Sequence, residues 1–211
     1  MSHRTRAVLF DWDGTLADTA EATFRCYVRM FSDFGISFDR RRYAETYSPN
    51  WYHTFRCVGL AEEHWSAADE KWLACFAEEK VHLVPDALTA LETIARQNLP
   101  IGIVTSGSRP RIERELLSHA VAHRFHAVVC GSDIVEKKPH PEALLLCLEQ
   151  MGVAPESAAY IGDSPEDVLM ARAAKVRAVA VRGAYPNLAA LEAAQPDLIV
   201  DSVSEAVTLL L

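Results

Sequence analysis

Asp11 and Asp13 stand one residue apart, directly after the apolar run Ala7 to Phe10 and directly before Gly14 and Thr15. Two carboxylates this close repel each other in water, and a cation held between them is the natural remedy. The preceding run suits a strand buried on both faces, as in a parallel sheet. Polar residues at a glycine turn just past such a strand sit where open α/β sheets place their ligands. The same residues also suit a strand that ends in an ordinary Asp-Gly turn. Taken alone, the stretch does not choose between the two.

Three further clusters could carry chemistry. Thr105-Ser106-Gly107-Ser108 follows the apolar Ile101 to Val104, and a hydroxyl with free amides at the start of a helix can hold a phosphate. Ser108 can equally serve as an N-cap, and the two roles are compatible. Lys138 lies between polar residues and two prolines; by residue type alone it reads as a solvated surface lysine. Asp163 and Asp167 follow Ala158 to Ile161. There Ser164 as N-cap, Pro165 at the first helical position and Asp167 complete a capping box. Asp163, ahead of the cap on the strand tip, is left without a structural role.

The elements that position these clusters can be read along the chain. From Thr19 to Phe34, Ala20, Phe24, Tyr27, Val28, Phe31 and Phe34 recur at helical steps, with Gly35 as the stop. Arg40 to Tyr47, a break at Ser48-Pro49-Asn50, a short helix through Phe55 and a longer one from Glu62 to Lys80 follow. The longer helix carries Trp65, Ala68, Trp72, Leu73 and Phe76 along one face. Trp65 and Trp72 are expected to pack within this helical unit. No convincing strand occurs between Gly14 and Val84. After Pro85 helices alternate with strands at Ile101 to Val104, Ala127 to Cys130, Ala158 to Ile161, Val176 to Val181 and Leu198 to Val200. Alternation of this kind implies right-handed crossovers and a doubly wound parallel sheet. Three polar clusters follow three of its strands and should meet at one sheet edge. The expected division is an α/β core from residues 1–16 and 85–211, with an inserted α-helical unit at 17–84.

With 211 residues, half of them hydrophobic and 24% charged, the chain has the profile of a water-soluble globular protein. Its net charge of -8 argues against non-specific nucleic-acid binding and against an anionic membrane surface. No apolar run reaches the length that crosses a bilayer. The start, Met-Ser-His-Arg-Thr-Arg, has no apolar leader segment. The five cysteines (Cys26, Cys57, Cys75, Cys130, Cys147) show no CxxC spacing and read as reduced thiols of a cytoplasmic protein.

Asp11-Trp12-Asp13-Gly14-Thr15, Thr105, Lys138-Pro139 and Gly162-Asp163-Ser164-Pro165-Glu166-Asp167 resemble, in order and spacing, the four motifs of the haloacid dehalogenase superfamily. The helical insert resembles the cap of its phosphoglycolate-phosphatase-like subgroup. The resemblance implies a Rossmann-like core and a magnesium-dependent phosphatase acting on a small phosphorylated metabolite, as a monomer or homodimer. It implies that Asp11 is the nucleophile that becomes an aspartyl-phosphate and that Asp13 is the general acid and base. Mg2+ is then held by Asp11, the main-chain carbonyl of Asp13 and Asp163, with Asp167 supporting it. Thr105, Ser106, Gly107 and Lys138 are implied to face the phosphoryl group. An aspartate at position 13 points to phosphoryl transfer rather than to dehalogenation. A β-phosphoglucomutase-like mutase is the alternative enzyme, and a non-catalytic phosphate-binding regulator the alternative of another class.

These residues act on the group that all phosphorylated substrates share, so selection is expected from the insert, acting as a lid. Within Tyr47 to Arg56, Asn50 and His53 can hydrogen-bond, Arg56 can pair with a carboxylate or second phosphate, and Trp51 can stack. The alternative is that Trp51 and Phe55 pack in the unit and Arg56 is solvated. This stretch lacks the glycine-centred cap loop of typical phosphoglycolate phosphatases and mutases, which places phosphoglycolate itself in question.

Overall fold

The computed structural model describes residues 5–48 and 50–211. Most of the start read above as leaderless (residues 1–4), and Pro49 of the expected break, lie outside the described residues. The chain divides into two compact units, one reaching up to Asp18 and resuming at His82–Leu211, the other spanning Thr19–Val81. The edges of the helical unit thus fall two to three residues inside the expected 17–84.

In the α/β unit, β1 (Ala7–Phe10) is followed by two-residue strands β2 (Ala17–Asp18) and β3 (His82–Leu83), then by β4 (Ile101–Val104), β5 (Ala127–Val129), β6 (Ala158–Gly162), β7 (Arg177–Val181) and β8 (Leu198–Val200). Six of them form one sheet in the order β5-β4-β1-β6-β7-β8, every neighbouring pair parallel. β1 is central and each of its four side chains is fully buried, as an unbroken apolar run requires. The pair β2–β3, antiparallel through Ala17–Leu83 and Asp18–His82, corrects the expectation that no strand lies between Gly14 and Val84. Two-residue strands carry no alternation to read.

Helices α1 (Ala20–Asp33), α2 (Arg40–Thr46), α3 (Trp51–Val58) and α4 (Trp65–Ala77) make the second unit. Gly35, at φ +69°, ends α1, its amide and that of Ile36 closing on Ser32 and Phe31. The expected helix from Glu62 to Lys80 is shorter: Glu62–His64 form a 3-10 turn, and α4 stops at Ala77. Aromatic rings hold the unit together. Phe31 lies 4.7 Å from Phe38 and edge-on to Phe55 at 5.8 Å, Trp65 stacks on Tyr52 at 4.8 Å and Trp72 on Phe76 at 4.7 Å. Such pairs add roughly 0.5–1.5 kcal/mol each beyond burial. Leu73, expected on the packed face, is 44% exposed; eight positions beyond Trp65 it has turned about 80° away from that face.

The α/β unit is completed by α5 (Ala87–Arg96), α6 (Arg109–Ser118), α7 (Glu142–Met151), α8 (Pro165–Ala173), α9 (Leu188–Ala193) and α10 (Val203–Leu210). Leu144, Cys147 and Leu148 of α7 and Val168 and Ala171 of α8 bury one sheet face with Ala7, Leu9 and Tyr160. Strand alternation sends Val8 and Phe10 to the opposite face, and α10 lies against β6, β7 and β8 and packs with α5. No helix among the described residues is long and apolar enough to cross a membrane. All five cysteines are free thiols.

Candidate active site

The three central strands deliver the site. The register pairs Phe10 of β1 with Ile103 of β4 and with Ile161 of β6, so the residues that follow these strands lie side by side. Asp11 continues the strand geometry, its amide donating to Ile161 O at 2.9 Å. Thr105 does the same beside β5, donating to Val129 O at 3.0 Å. Asp11, Asp163 and Asp167, separated in the chain by as many as 156 residues, each place a carboxylate oxygen within 4.8 Å of the others, and all three are buried.

Lys138 is the cation of this cluster and not the solvated lysine its residue type suggests. Its Nζ donates to Asp11 Oδ1 at 2.8 Å, Asp167 Oδ1 at 2.7 Å and the Tyr160 hydroxyl at 2.8 Å, which matches the three donors of an ammonium group. Burial alone would lower its pKa; the Asp11 and Asp167 carboxylates override that and hold it above the ordinary lysine value. Tyr160 in turn lies 2.8 Å from Val104 O, to which its hydroxyl donates.

Asp167 caps α8, as its spacing from Ser164 requires. The Ser164 amide and hydroxyl donate to Asp167 Oδ2 at 3.1 and 2.7 Å, and the Asp167 amide donates to Ser164 Oγ at 3.2 Å. Asp163 is the opposite case. It is 3% exposed, and its Oδ2 has no hydrogen-bond partner. A Cβ at Gly14, which sits at φ +80°, would lie 2.1 Å from that oxygen, and one at Gly183 2.8 Å from it. Two residues without side chains therefore flank an unsatisfied buried carboxylate. Burial, reinforced by Asp11 and Asp167, raises the Asp163 carboxyl well above the usual range. Burial, opposed by Lys138 and assisted by Asp167 and Asp13, pushes Asp11 up to about 7. One ammonium does not balance three buried carboxylates. An unsatisfied oxygen in an all-oxygen donor set fits a hard divalent cation.

Thr105 is 2% exposed, and its Oγ1 accepts the Gly107 amide at 3.1 Å, which fixes the oxygen and leaves its own hydrogen to donate. Ser108 starts α6 without a side-chain cap bond. Asp13 does not join the cluster of three. Arg111 Nη1 donates to its Oδ1 at 2.9 Å, and Nη2 bonds to its Oδ2. Arg111 is also 3.3 Å from Glu115 Oε1, and Glu115 Oε2 accepts the Trp12 indole at 2.7 Å. Arg111, Glu115 and Tyr160 were not read from the sequence as site residues. One signal was present: Arg111 and Glu115, of opposite charge and four apart, share a helix face with the buried Ile112 and Leu116.

The helical-unit residues are placed differently. Asn50 precedes α3 without a side-chain cap bond, His53 Nε2 is 3.4 Å from Cys57 Sγ, and the Arg56 guanidinium lies 5.0 Å over the Trp65 ring. Asn50, His53 and Arg56 are exposed, Trp51 is 36% exposed and Phe55 is buried.

A parallel α/β sheet carrying an aspartate pair, a lysine and a second acid pair at its central strand ends defines a class. Residues 8–181 match the family model of haloacid dehalogenase-like hydrolases, and the chain belongs to that family. The Escherichia coli (strain K12) protein named phosphoglycolate phosphatase is 36% identical over 129 residues, 61% of this chain and 51% of the relative. The chain thus spans about half the length of the first of its curated relatives. The pyrophosphatase PpaX of Oceanobacillus iheyensis is 23% identical over 211 residues, covering 97% of this chain and 96% of the relative. Among solved structures, a haloacid dehalogenase-like hydrolase from Bacteroides fragilis superposes with a TM-score of 0.87 at 26% identity, over 96% of this chain and 100% of that one.

Proposed function

We propose that the chain is a magnesium-dependent phosphatase that hydrolyses a small phosphorylated metabolite through an aspartyl-phosphate on Asp11. The observation that carries this reading is the buried, unpartnered Asp163 Oδ2 within a cluster that also holds Asp11 and Lys138. Relatives named as phosphatases support it. Asp11, Asp163 and the main-chain carbonyl of Asp13 would hold the cation, with Asp167 supporting through its hydrogen bonds. When bound, the cation neutralises the clustered acids and the phosphate and draws charge from the phosphoryl oxygens.

The chain's own residues then account for both halves of the reaction. A carboxylate oxygen of Asp11 attacks phosphorus, the bond from phosphorus to the leaving oxygen breaks, and that oxygen takes a proton from Asp13. In the second half a water attacks phosphorus, Asp13 takes its proton, and the Asp11–phosphorus bond breaks to release inorganic phosphate. Thr105 Oγ donates to a phosphoryl oxygen, aided by the Ser106 amide, while Gly107 holds Thr105 in place. Lys138 offsets the charge on Asp11 and the phosphoryl group. Asn50, His53 and Arg56 are assigned to choosing the leaving group. The assay is phosphate release from a panel of phosphorylated metabolites, with magnesium and after thorough chelation. Undiminished turnover without the metal would refute the metal requirement. Conversion of one sugar phosphate into its isomer without phosphate release would favour a mutase.

A further inference from the structure

We propose that Arg111 is a positioning residue for the chemistry assigned to Asp13: it latches the Asp13 carboxylate in a resting place from which Asp13 must be released before it can protonate a leaving group. The inference rests on the phosphatase reading above.

Both Asp13 oxygens accept from one guanidinium, a bidentate geometry that is stronger and more directional than a single bond. The guanidinium is itself held. Arg111 is 8% exposed and lies 3.3 Å from Glu115 one turn along α6, while Glu115 accepts the Trp12 indole. Because Trp12 precedes Asp13, the side chains Asp13, Arg111, Glu115 and Trp12 close a ring that ties the loop after β1 to α6. A Cβ at residue 107 would lie 2.3 Å from Arg111 Nη2, so glycine there makes room for the latch within the very loop that carries Thr105. Oxygens that accept from a guanidinium present no proton to a substrate. Asp13 therefore reaches a leaving group only after it has left Arg111.

That requirement depends on the leaving group. An alkoxide departs only as it gains a proton. For an alkyl phosphate the Asp11–phosphorus bond forms, the phosphorus–oxygen bond breaks and the Asp13 proton moves to the departing oxygen. A nitrophenolate departs as a stable anion, keeping the bonding pair without a proton. The latch thus holds back phosphoenzyme formation from alkyl phosphates and not from 4-nitrophenyl phosphate.

The test measures single-turnover phosphoenzyme formation by rapid acid quench, with magnesium, from 4-nitrophenyl phosphate and from the alkyl phosphate turned over fastest. The proteins are wild type, Arg111→Met and Arg111→Lys. In Arg111→Met the aryl-to-alkyl rate ratio should fall roughly tenfold, the effect of losing hydrogen bonds to a charged group, with KM unchanged. Arg111→Lys, with charge but a single point of contact, should fall by less. The double variant Arg111→Met with Glu115→Gln also removes the buried Glu115 charge that the single variant leaves unpaired. It should show the same fall, and it carries the test if the single variant does not fold. An unchanged or increased ratio, or an equal loss on both substrates, overturns the latch while leaving the phosphatase reading in place. Failure of the wild type to release phosphate from either substrate overturns that reading, and the latch with it.

Discussion

The α/β unit and the helical unit bring their candidate residues to bear in opposite ways. In the first, Asp11, Thr105, Lys138 and Asp163 come from four distant stretches of chain, and the Lys138 ammonium binds the Asp11 and Asp167 carboxylates at 2.7–2.8 Å among them. In the second, Asn50 precedes α3 and His53 and Arg56 lie on its first two turns; all three are exposed, and the Trp65 ring lies under Arg56. A parallel sheet makes remote residues neighbours, because adjacent strands end at the same edge. A single helix only displays residues. The first group should therefore respond to substitution as one device and the second as separate pieces.

The sharpest way to break this contrast is at Asp11. Asp11→Asn should reduce phosphate release by roughly 10⁴-fold or more, and adding Lys138→Ala should cost little further, since members of one catalytic unit are non-additive. Equal multiplication of the two losses would mean that the residues act independently. Lys138→Ala alone should lower kcat by about 10²–10³-fold. It should also destabilise the fold by about 3 kcal/mol in urea unfolding, because two buried carboxylates lose their partner.

The unpartnered Asp163 gives the next effect. Without metal, the folded protein holds the Asp11 and Asp163 carboxyls above their unfolded pKa values. It therefore binds more protons than the unfolded chain across this range, and stability should decline as pH rises from about 4 to about 7. Magnesium at a hundredfold excess over its Kd should restore about 2.7 kcal/mol at neutral pH. Asp163→Asn should flatten the pH dependence and abolish most of the gain from magnesium. Thermal melts with and without the ion, at pH 5 and pH 7.5, measure both.

The smallest effects belong to the helical unit. Asn50→Ala, His53→Ala and Arg56→Ala should each change stability by no more than about 0.5–1 kcal/mol, the upper figure for Arg56 over Trp65. Each should reduce kcat/KM on the best natural substrate by up to roughly tenfold while sparing a small aryl phosphate. Equal rates on both substrates in all three variants would place selection elsewhere.

Much of the sheet was legible because β1 and β4 are unbroken apolar runs ending at polar turns, and both match their expected bounds to the residue. The acid pairs were legible only together with the other clusters, because Asp11 to Gly14 alone also suits a strand ending in an Asp-Gly turn and Asp167 a helix cap. Other features leave no periodic trace. β2 and β3 are two residues long. Leu73 differs from its buried neighbours only by an angle around the helix. Arg111 and Glu115 look like an ordinary surface pair, and only the fold reveals that both are buried, Arg111 against Asp13 and Glu115 against Trp12. Tyr160 reads as a core strand residue, which it also is; its hydroxyl meets Lys138 only because β6 lies beside β1.

The central claim is that Asp11 carries the phosphoryl group. It is tested most directly by mixing enzyme, magnesium and 4-nitrophenyl phosphate, quenching in acid within milliseconds, and mapping the modified peptide by mass spectrometry. The expected result is one added phosphoryl group on Asp11, absent in Asp11→Asn and without magnesium. A phosphoryl group on any other residue, or turnover by Asp11→Asn at the wild-type rate, would contradict it.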